Sequence, residues 1–223
     1  MSHYTTLDKL LSSGIVAVVR KVESDKVESL VQALVKGGVS GIEITMDSDD
    51  SANTIHELKQ RHGNEAVIGA GTVFNKEQAK EAIAAGADFV FAPILDKETI
   101  EYTKDQGVIM IPGVFTPTEI YQAYHWGSDM VKVFPASVLG PQFFKDVNGP
   151  LDQIPKMPTG GVNLENIGSF IKAGAIGAGI GGSLVNKSLI EKENWPELQE
   201  LAQKYVEEVA RVRQVVISQE TQV

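Results

Sequence analysis

One lysine and one glutamate stand inside apolar strands, and they define the chemistry open to this sequence. Lys132 lies in Asp129-Met130-Val131-Lys132-Val133-Phe134-Pro135-Ala136. Strand side chains alternate, so Val131 and Val133 share one face while Met130, Lys132 and Phe134 share the other. A lysine so placed either buries its stem and sends the amine to water, or keeps the amine in a desolvated cavity. In a cavity its pKa falls and it becomes a nucleophile toward carbonyls. Glu43 lies in Gly41-Ile42-Glu43-Ile44-Thr45, and the same alternation turns it away from both isoleucines. A buried carboxylate is costly unless paired. Glu43 reads either as a structural ion-pair partner of Lys132 or as a proton shuttle beside an amine nucleophile. Both readings place the two side chains close together.

Three glycine-rich turns follow apolar runs: Gly69-Ala70-Gly71-Thr72, Thr159-Gly160-Gly161 and Gly179-Ile180-Gly181-Gly182-Ser183. Each reads as a tight strand-to-helix turn. The last two also read as a phosphate cradle of backbone N–H groups. The four histidines, His3, His56, His62 and His125, are scattered, and the chain has no cysteine, so no metal site is expected.

The elements that must position these residues alternate. A leading helix is predicted over Tyr4–Ser13. Strands are predicted at Ile15–Arg20, Gly41–Thr45, Val67–Ala70, Phe89–Ala92, Val108–Ile111, Met130–Phe134, Lys156–Thr159 and Ile176–Ile180. Between them fall helices at Ser24–Lys36, with Ser24 as cap, Ser51–Arg61, Asn75–Ala85 and Lys97–Asp105. Further on come Thr116–Trp126, opened by a capping box, Gln142–Val147 and Asn163–Ala173, with Asn163 as cap. A last helix spans about Trp195–Arg213, and Ser218–Val223 reads as a frayed tail. Strand starts recur at the interval of a (β/α)8 barrel of this length, and continuously apolar strands fit a sheet covered on both faces. The expectation is one α/β domain over residues 1–223, a TIM barrel with an extra N-terminal helix. An open doubly wound sheet would need a dinucleotide fingerprint after the first strand, and Arg20-Lys21-Val22-Glu23 is not one.

In such a barrel chemistry sits at the C-terminal strand ends. Those positions read Arg20, Glu43 with Thr45, Thr72, Pro93, Gly113, Lys132, Thr159 and Ser183. Composition narrows the partners. A net charge of -9 argues against nucleic acid. No apolar run is long enough to span a bilayer. The first six residues carry no basic region followed by an apolar core, so a cytoplasmic location is expected.

With these residues assembled, the chain resembles the 2-keto-3-deoxy-6-phosphogluconate (KDPG) aldolase family, which includes bifunctional 4-hydroxy-2-oxoglutarate (KHG) aldolases. The resemblance rests on Gly41-Ile-Glu-Ile-Thr45, Gly69-Ala-Gly-Thr72, Ile111-Pro-Gly113, Lys132-Val-Phe-Pro-Ala136, Pro158-Thr-Gly-Gly161 and Gly181-Gly-Ser183, in family order. It implies a class I aldolase that needs neither metal nor cofactor. Lys132 would match the Schiff-base lysine and Glu43 the general acid/base. Arg20 and Thr72 would match groups near the pyruvoyl end, and Pro93 and Phe134 would line the pocket. Thr159, Gly160, Gly161, Gly182 and Ser183 would line the phosphate end. The substrate would be a small phosphorylated keto acid, and the assembly a homotrimer.

One position departs from the pattern. Many family members carry an arginine two residues after Glu-x-Thr, where it holds the substrate carboxylate, and here it is Asp47. An aspartate would repel that carboxylate. Arg20 would then bind it alone with backbone donors, or the substrate is a related 2-keto-3-deoxy sugar acid such as the 6-phosphogalactonate epimer. Two other readings share the glycine turns: a phosphate-binding barrel isomerase or synthase, and a barrel kept only for assembly or sugar-phosphate binding.

Overall fold

The computed structural model describes residues 3–220. The chain runs α1 (His3–Ser12), β1 (Ile15–Val19), α2 (Ser24–Lys36), β2 (Gly41–Thr45), α3 (Ser51–His62), β3 (Val67–Gly71), α4 (Lys76–Ala84), β4 (Phe89–Phe91), α5 (Lys97–Asp105) and β5 (Ile109–Ile111). It continues through β6 (Gly113–Val114), α6 (Pro117–His125), β7 (Val131–Val133), α7 (Ala136–Asn148), β8 (Lys156–Pro158), α8 (Ile167–Lys172), β9 (Ala178–Ile180), α9 (Lys187–Glu191) and α10 (Trp195–Glu220).

All strand pairs are parallel and form two strips, β5-β4-β3-β2-β1-β9 and β6-β7-β8. Both seams close. At one, β5 and β6 are a single stave interrupted at Pro112, which has no N–H for the ladder. At the other, Thr159 bridges to Gly179 and Ile176 N–H donates to the Lys156 carbonyl. The result is the expected (β/α)8 barrel.

Alternation sorts the strands into two cores. Ile42, Ile44, Val131 and Val133 face the helices. Val16, Val67, Phe89, Phe91, Ile109, Ile111, Met130 and Met157 fill the barrel, with Leu10 of α1 packed against them. Two aspartates fasten the lower rim. Asp88 pairs with Lys59 at 2.6 Å and accepts Ile68 N–H, and Asp129 pairs with Lys104 at 2.7 Å and accepts Met110 N–H.

Several helix ends differ from the sequence expectation, each for a local reason. Ser24 is the first helical residue rather than the cap, and Glu23 stands at the cap without a side-chain bond. The Asn163 side chain accepts Glu165 and Asn166 N–H groups in a turn, so α8 starts only at Ile167. The α7 segment begins earlier than expected, at Ala136, and breaks at Gly140 (φ +68°), after which Pro141 opens the second part. The short β6 and α9 were not expected. The last helix runs past Arg213, because Val212 is buried and Val216 packs on the core. Arg213 itself ties α10 to carbonyls of Leu11, Ser12 and Ile176. The expected fraying fails for Ser218–Glu220, which is helical, and 221–223 lie outside the described residues. The α6 capping box is present as expected: Thr116 accepts Glu119 N–H, and the Glu119 carboxylate accepts Thr116 N–H.

Candidate active site

Lys132 sits in the middle of β7 with its side chain turned into the barrel. It is 4% exposed, and its Nζ stands 5.2 Å from the ring centroids of both Phe91 and Phe134. Aromatic faces attract a cation without accepting its protons as a carbonyl does. Burial is the dominant influence on this amine and holds its pKa below the ordinary lysine value. Glu43 opposes that shift and Arg20 adds to it.

Glu43 is completely buried on β2, and neither carboxylate oxygen has a hydrogen-bond partner. Burial pushes its pKa up, Lys132 and Arg20 pull it back, and Asp47 adds to the rise. Lys132 and Glu43 thus act on each other electrostatically, but no hydrogen bond locks them as a structural pair. The space for Glu43 comes from its neighbour strand. Glu43 is in register with Gly69 on β3, and a Cβ on Gly71 would overlap the Glu43 carboxylate. The glycines in this turn therefore have a packing reason beyond backbone freedom. Gly71 makes room for a carboxylate that has no hydrogen-bond partner, and Gly69 makes room for the Phe89 ring.

Around this pair the predicted residues fall on the upper rim. Arg20 follows β1, and Thr72 follows β3 in the left-handed region (φ +57°). Arg20 donates to Thr72 Oγ1 at 2.8 Å and to Asp47 Oδ2 at 3.2 Å. Asp47 also lies 3.6 Å from Lys21 Nζ. Pro93 follows β4, where its carbonyl packs so tightly on Gly113 that a Cβ there would overlap it. Phe134 follows β7, partly exposed, with its ring over the Lys132 amine.

The far side of the rim is made of backbone. Thr159 is buried with its hydroxyl unpartnered, against Gly179. Gly160 (φ +87°) and Gly161 (φ +78°) adopt conformations that favour glycine, and Gly160 lies beside the Phe134 ring. Gly182 borders open space, and Ser183 donates its hydroxyl to the Val162 carbonyl at 2.6 Å, tying the two glycine loops together.

Sequence reasoning missed Phe91 and, although it singled out Asp47, missed the contact that Asp47 makes. Phe91 is the ring below Lys132, and inward parity on β4 was the available signal. Asp47 is a partner of Arg20, which only the meeting of the β1 and β2 ends reveals. Among the described residues no cluster of three His, Cys, Asp or Glu side chains could hold a metal ion.

Residues 7–201 match the family model for KDPG and KHG aldolase. The chain belongs to the KDPG and KHG aldolase family. It is 35% identical to the 2-dehydro-3-deoxy-phosphogluconate aldolase of Haemophilus influenzae over 208 residues, covering 92% of this chain and 98% of that one. It is 32% identical to the 2-dehydro-3-deoxy-6-phosphogalactonate aldolase of Escherichia coli K12, covering 76% and 83%. Among solved structures, the KDPG aldolase of Legionella pneumophila, with pyruvate captured at low pH as a covalent carbinolamine intermediate, superposes with a TM-score of 0.82 at 27% identity, covering 87% of this chain and 95% of that one. A cube-shaped cage designed by fusing symmetric oligomeric domains gives 0.85 at 28% identity, covering 93% and 76%. Family membership makes this chain a carbon–carbon lyase, an aldolase of the Schiff-base class.

Proposed function

We propose that the chain cleaves 2-keto-3-deoxy-6-phosphogluconate to pyruvate and glyceraldehyde 3-phosphate, with Lys132 forming the imine and Glu43 moving the protons. The observation that carries this reading is a buried amine held over aromatic faces, beside a buried carboxylate with no partner. A stability-driven design would have paired both groups. Here burial lowers the lysine pKa, which supplies the neutral amine that nucleophilic addition needs. Burial raises the glutamate pKa, which suits a group that must both take and return a proton.

The Lys132 amine adds to the C2 ketone to give a carbinolamine, which loses water to give an iminium. Glu43 accepts the C4 hydroxyl proton through water. The C3–C4 bond breaks, its electrons pass into the iminium to form an enamine, and the aldehyde leaves. Protonation of the enamine at C3 and hydrolysis release pyruvate and the free lysine. Arg20 and Thr72 hold the carboxylate end, while Phe134 and Pro93 wall the pocket. Thr159, Gly160, Gly161, Gly182 and Ser183 receive the phosphate. The same lysine and glutamate would cleave 4-hydroxy-2-oxoglutarate to pyruvate and glyoxylate, since only the aldehyde half differs.

A second substrate, the 6-phosphogalactonate epimer, is favoured by the likeness to the aldolase of that name and by Asp47 in place of the arginine. Pyruvate release from both epimers and from 4-hydroxy-2-oxoglutarate, followed by coupled reduction to lactate, separates these. The primary reading expects the highest kcat/KM on the gluconate isomer. A higher value on the galactonate isomer would shift the assignment.

The assembly we propose is a homotrimer. Phe74, Ile94 and Phe115, on loops after neighbouring staves, and Val138, in the first turn of α7, expose apolar surface at the active rim, which fits burial between subunits. The likeness to a cage built from symmetric oligomeric domains supports the same reading. Light scattering after size exclusion should give three times the chain mass. No described helix is long and apolar enough to cross a membrane, and we place the enzyme in the cytoplasm with its phosphorylated substrate.

A further inference from the structure

The residue that departs from the family pattern has a place in the geometry. The Arg20 side chain is 51% exposed, so its polar contacts carry much of the weight in fixing the guanidinium. It has two such contacts: Thr72 Oγ1 from the active-site side and Asp47 Oδ2 from the solvent side. A free arginine on a rim explores many rotamers, and ordering it at the moment of binding costs affinity. Asp47 is itself anchored. Ser48, next in the chain, accepts Lys21 N–H at 2.9 Å and shares a 2.9 Å hydrogen bond with Thr45, so the β1 and β2 ends are stitched together. Lys21 (φ +50°) and Thr72 (φ +57°), on either side of this network, both adopt the left-handed backbone that costs a side-chain-bearing residue energy. Such conformations persist where surrounding contacts fix them, and here those contacts converge on Arg20.

We propose that Asp47 is a positioning residue for the donor carboxylate: it holds the Arg20 guanidinium against Thr72, preorganised to receive that carboxylate. This rests on the aldolase reading of Lys132. It reverses the sign expected from charge alone, in which Asp47 repels the substrate and its removal tightens binding. The negative charge of Asp47 is spent on Arg20 and Lys21, so what reaches the incoming carboxylate is an arginine already in place. The guanidinium keeps donors for it, since Asp47 and Thr72 engage two of its five N–H groups.

The test measures the pyruvate concentration that half-saturates borohydride trapping at Lys132, in wild type, Asp47→Asn, Asp47→Ala, Arg20→Ala and the Arg20→Ala/Asp47→Ala double variant. Thermal melts accompany each. Asp47→Ala should raise half-saturation by about tenfold, the weight of one charge-assisted contact, with the trapped yield at saturation unchanged. Asp47→Asn, which keeps an acceptor for Arg20, should recover most of that loss. In the Arg20→Ala background the Asp47 substitution should add nothing, because Asp47 acts through Arg20. A purely structural role would lower the melting temperature without this non-additivity. Half-saturation that stays unchanged or falls in Asp47→Ala overturns the inference while leaving the aldolase reading intact. A wild-type protein that traps no pyruvate overturns both.

Discussion

Two lysines on adjacent staves are almost equally hidden, and only one is placed for chemistry. Lys132 on β7 is 4% exposed and Lys156 on β8 is 1% exposed, and burial lowers the pKa of both. Their faces differ. Val131 is in register with Lys156 and Lys132 with Met157, so Lys156 turns toward the helical layer while Lys132 turns into the barrel. There the Lys156 amine donates to the carbonyls of Leu151 and Ile154, each at 2.6 Å. It is a strap for the loop ahead of β8. Lys132 has ring faces and an unpaired glutamate for neighbours. Burial and a lowered pKa therefore do not mark a catalytic lysine. The distinction lies in whether the protein has already used the amine's hydrogen bonds.

The contrast predicts opposite phenotypes. The largest effect belongs to Lys132→Arg, which keeps the charge but cannot form the imine. Its kcat should fall by about 10⁴-fold or more with the melting temperature almost unchanged. Retained turnover would remove Lys132 from its role. Next in size is Lys156→Met. It leaves two buried carbonyls without their donor, so stability should drop by about 2–3 kcal/mol, or about 5–10 °C in Tm, while kcat stays within twofold. A loss of kcat without a loss of stability would break the comparison.

The smallest effect should come from Glu43→Gln with Lys132→Met. Removing two buried titratable groups that no hydrogen bond joins should stabilise the inactive protein by about 1–2 kcal/mol at neutral pH. The pH window follows from the two shifts. Because the folded Glu43 pKa is raised, its favourable contribution is full at acid pH and is lost as pH rises through that raised value. Because the folded Lys132 pKa is lowered, its contribution is full above the ordinary lysine value and is lost as pH falls through the lowered one. The double variant should therefore gain most between these limits, and denaturant melts across pH check it. A constant difference at every pH would assign the effect to packing instead.

How much of this was legible in the sequence depends on the range of the signal. The two-residue period of a strand was enough to turn Lys132 and Glu43 inward, and the regular recurrence of strand starts was enough for the barrel. Helix ends were less readable, because they depend on which of several polar side chains wins the cap. Asn163 spends its oxygen on a turn and delays α8, and Glu23 displaces Ser24. The distinct role of Lys156 was not readable, since its partners are the carbonyls of a loop whose path is set by tertiary packing. Asp47 was read as repulsion because its number relates it to Glu43 and Thr45, whereas its partner Arg20 follows a different strand. The unpaired state of Glu43 is a matter of angstroms that no spacing encodes, although Gly71 opposite it was a trace of the space it needs.

The most direct measurement is borohydride reduction in the presence of pyruvate, followed by peptide mass mapping. The two buried lysines then compete within one molecule. The predicted result is a single adduct on the peptide that carries Lys132, with the Lys156 peptide unmodified. An unmodified Lys132, or an adduct at another lysine, would contradict the account.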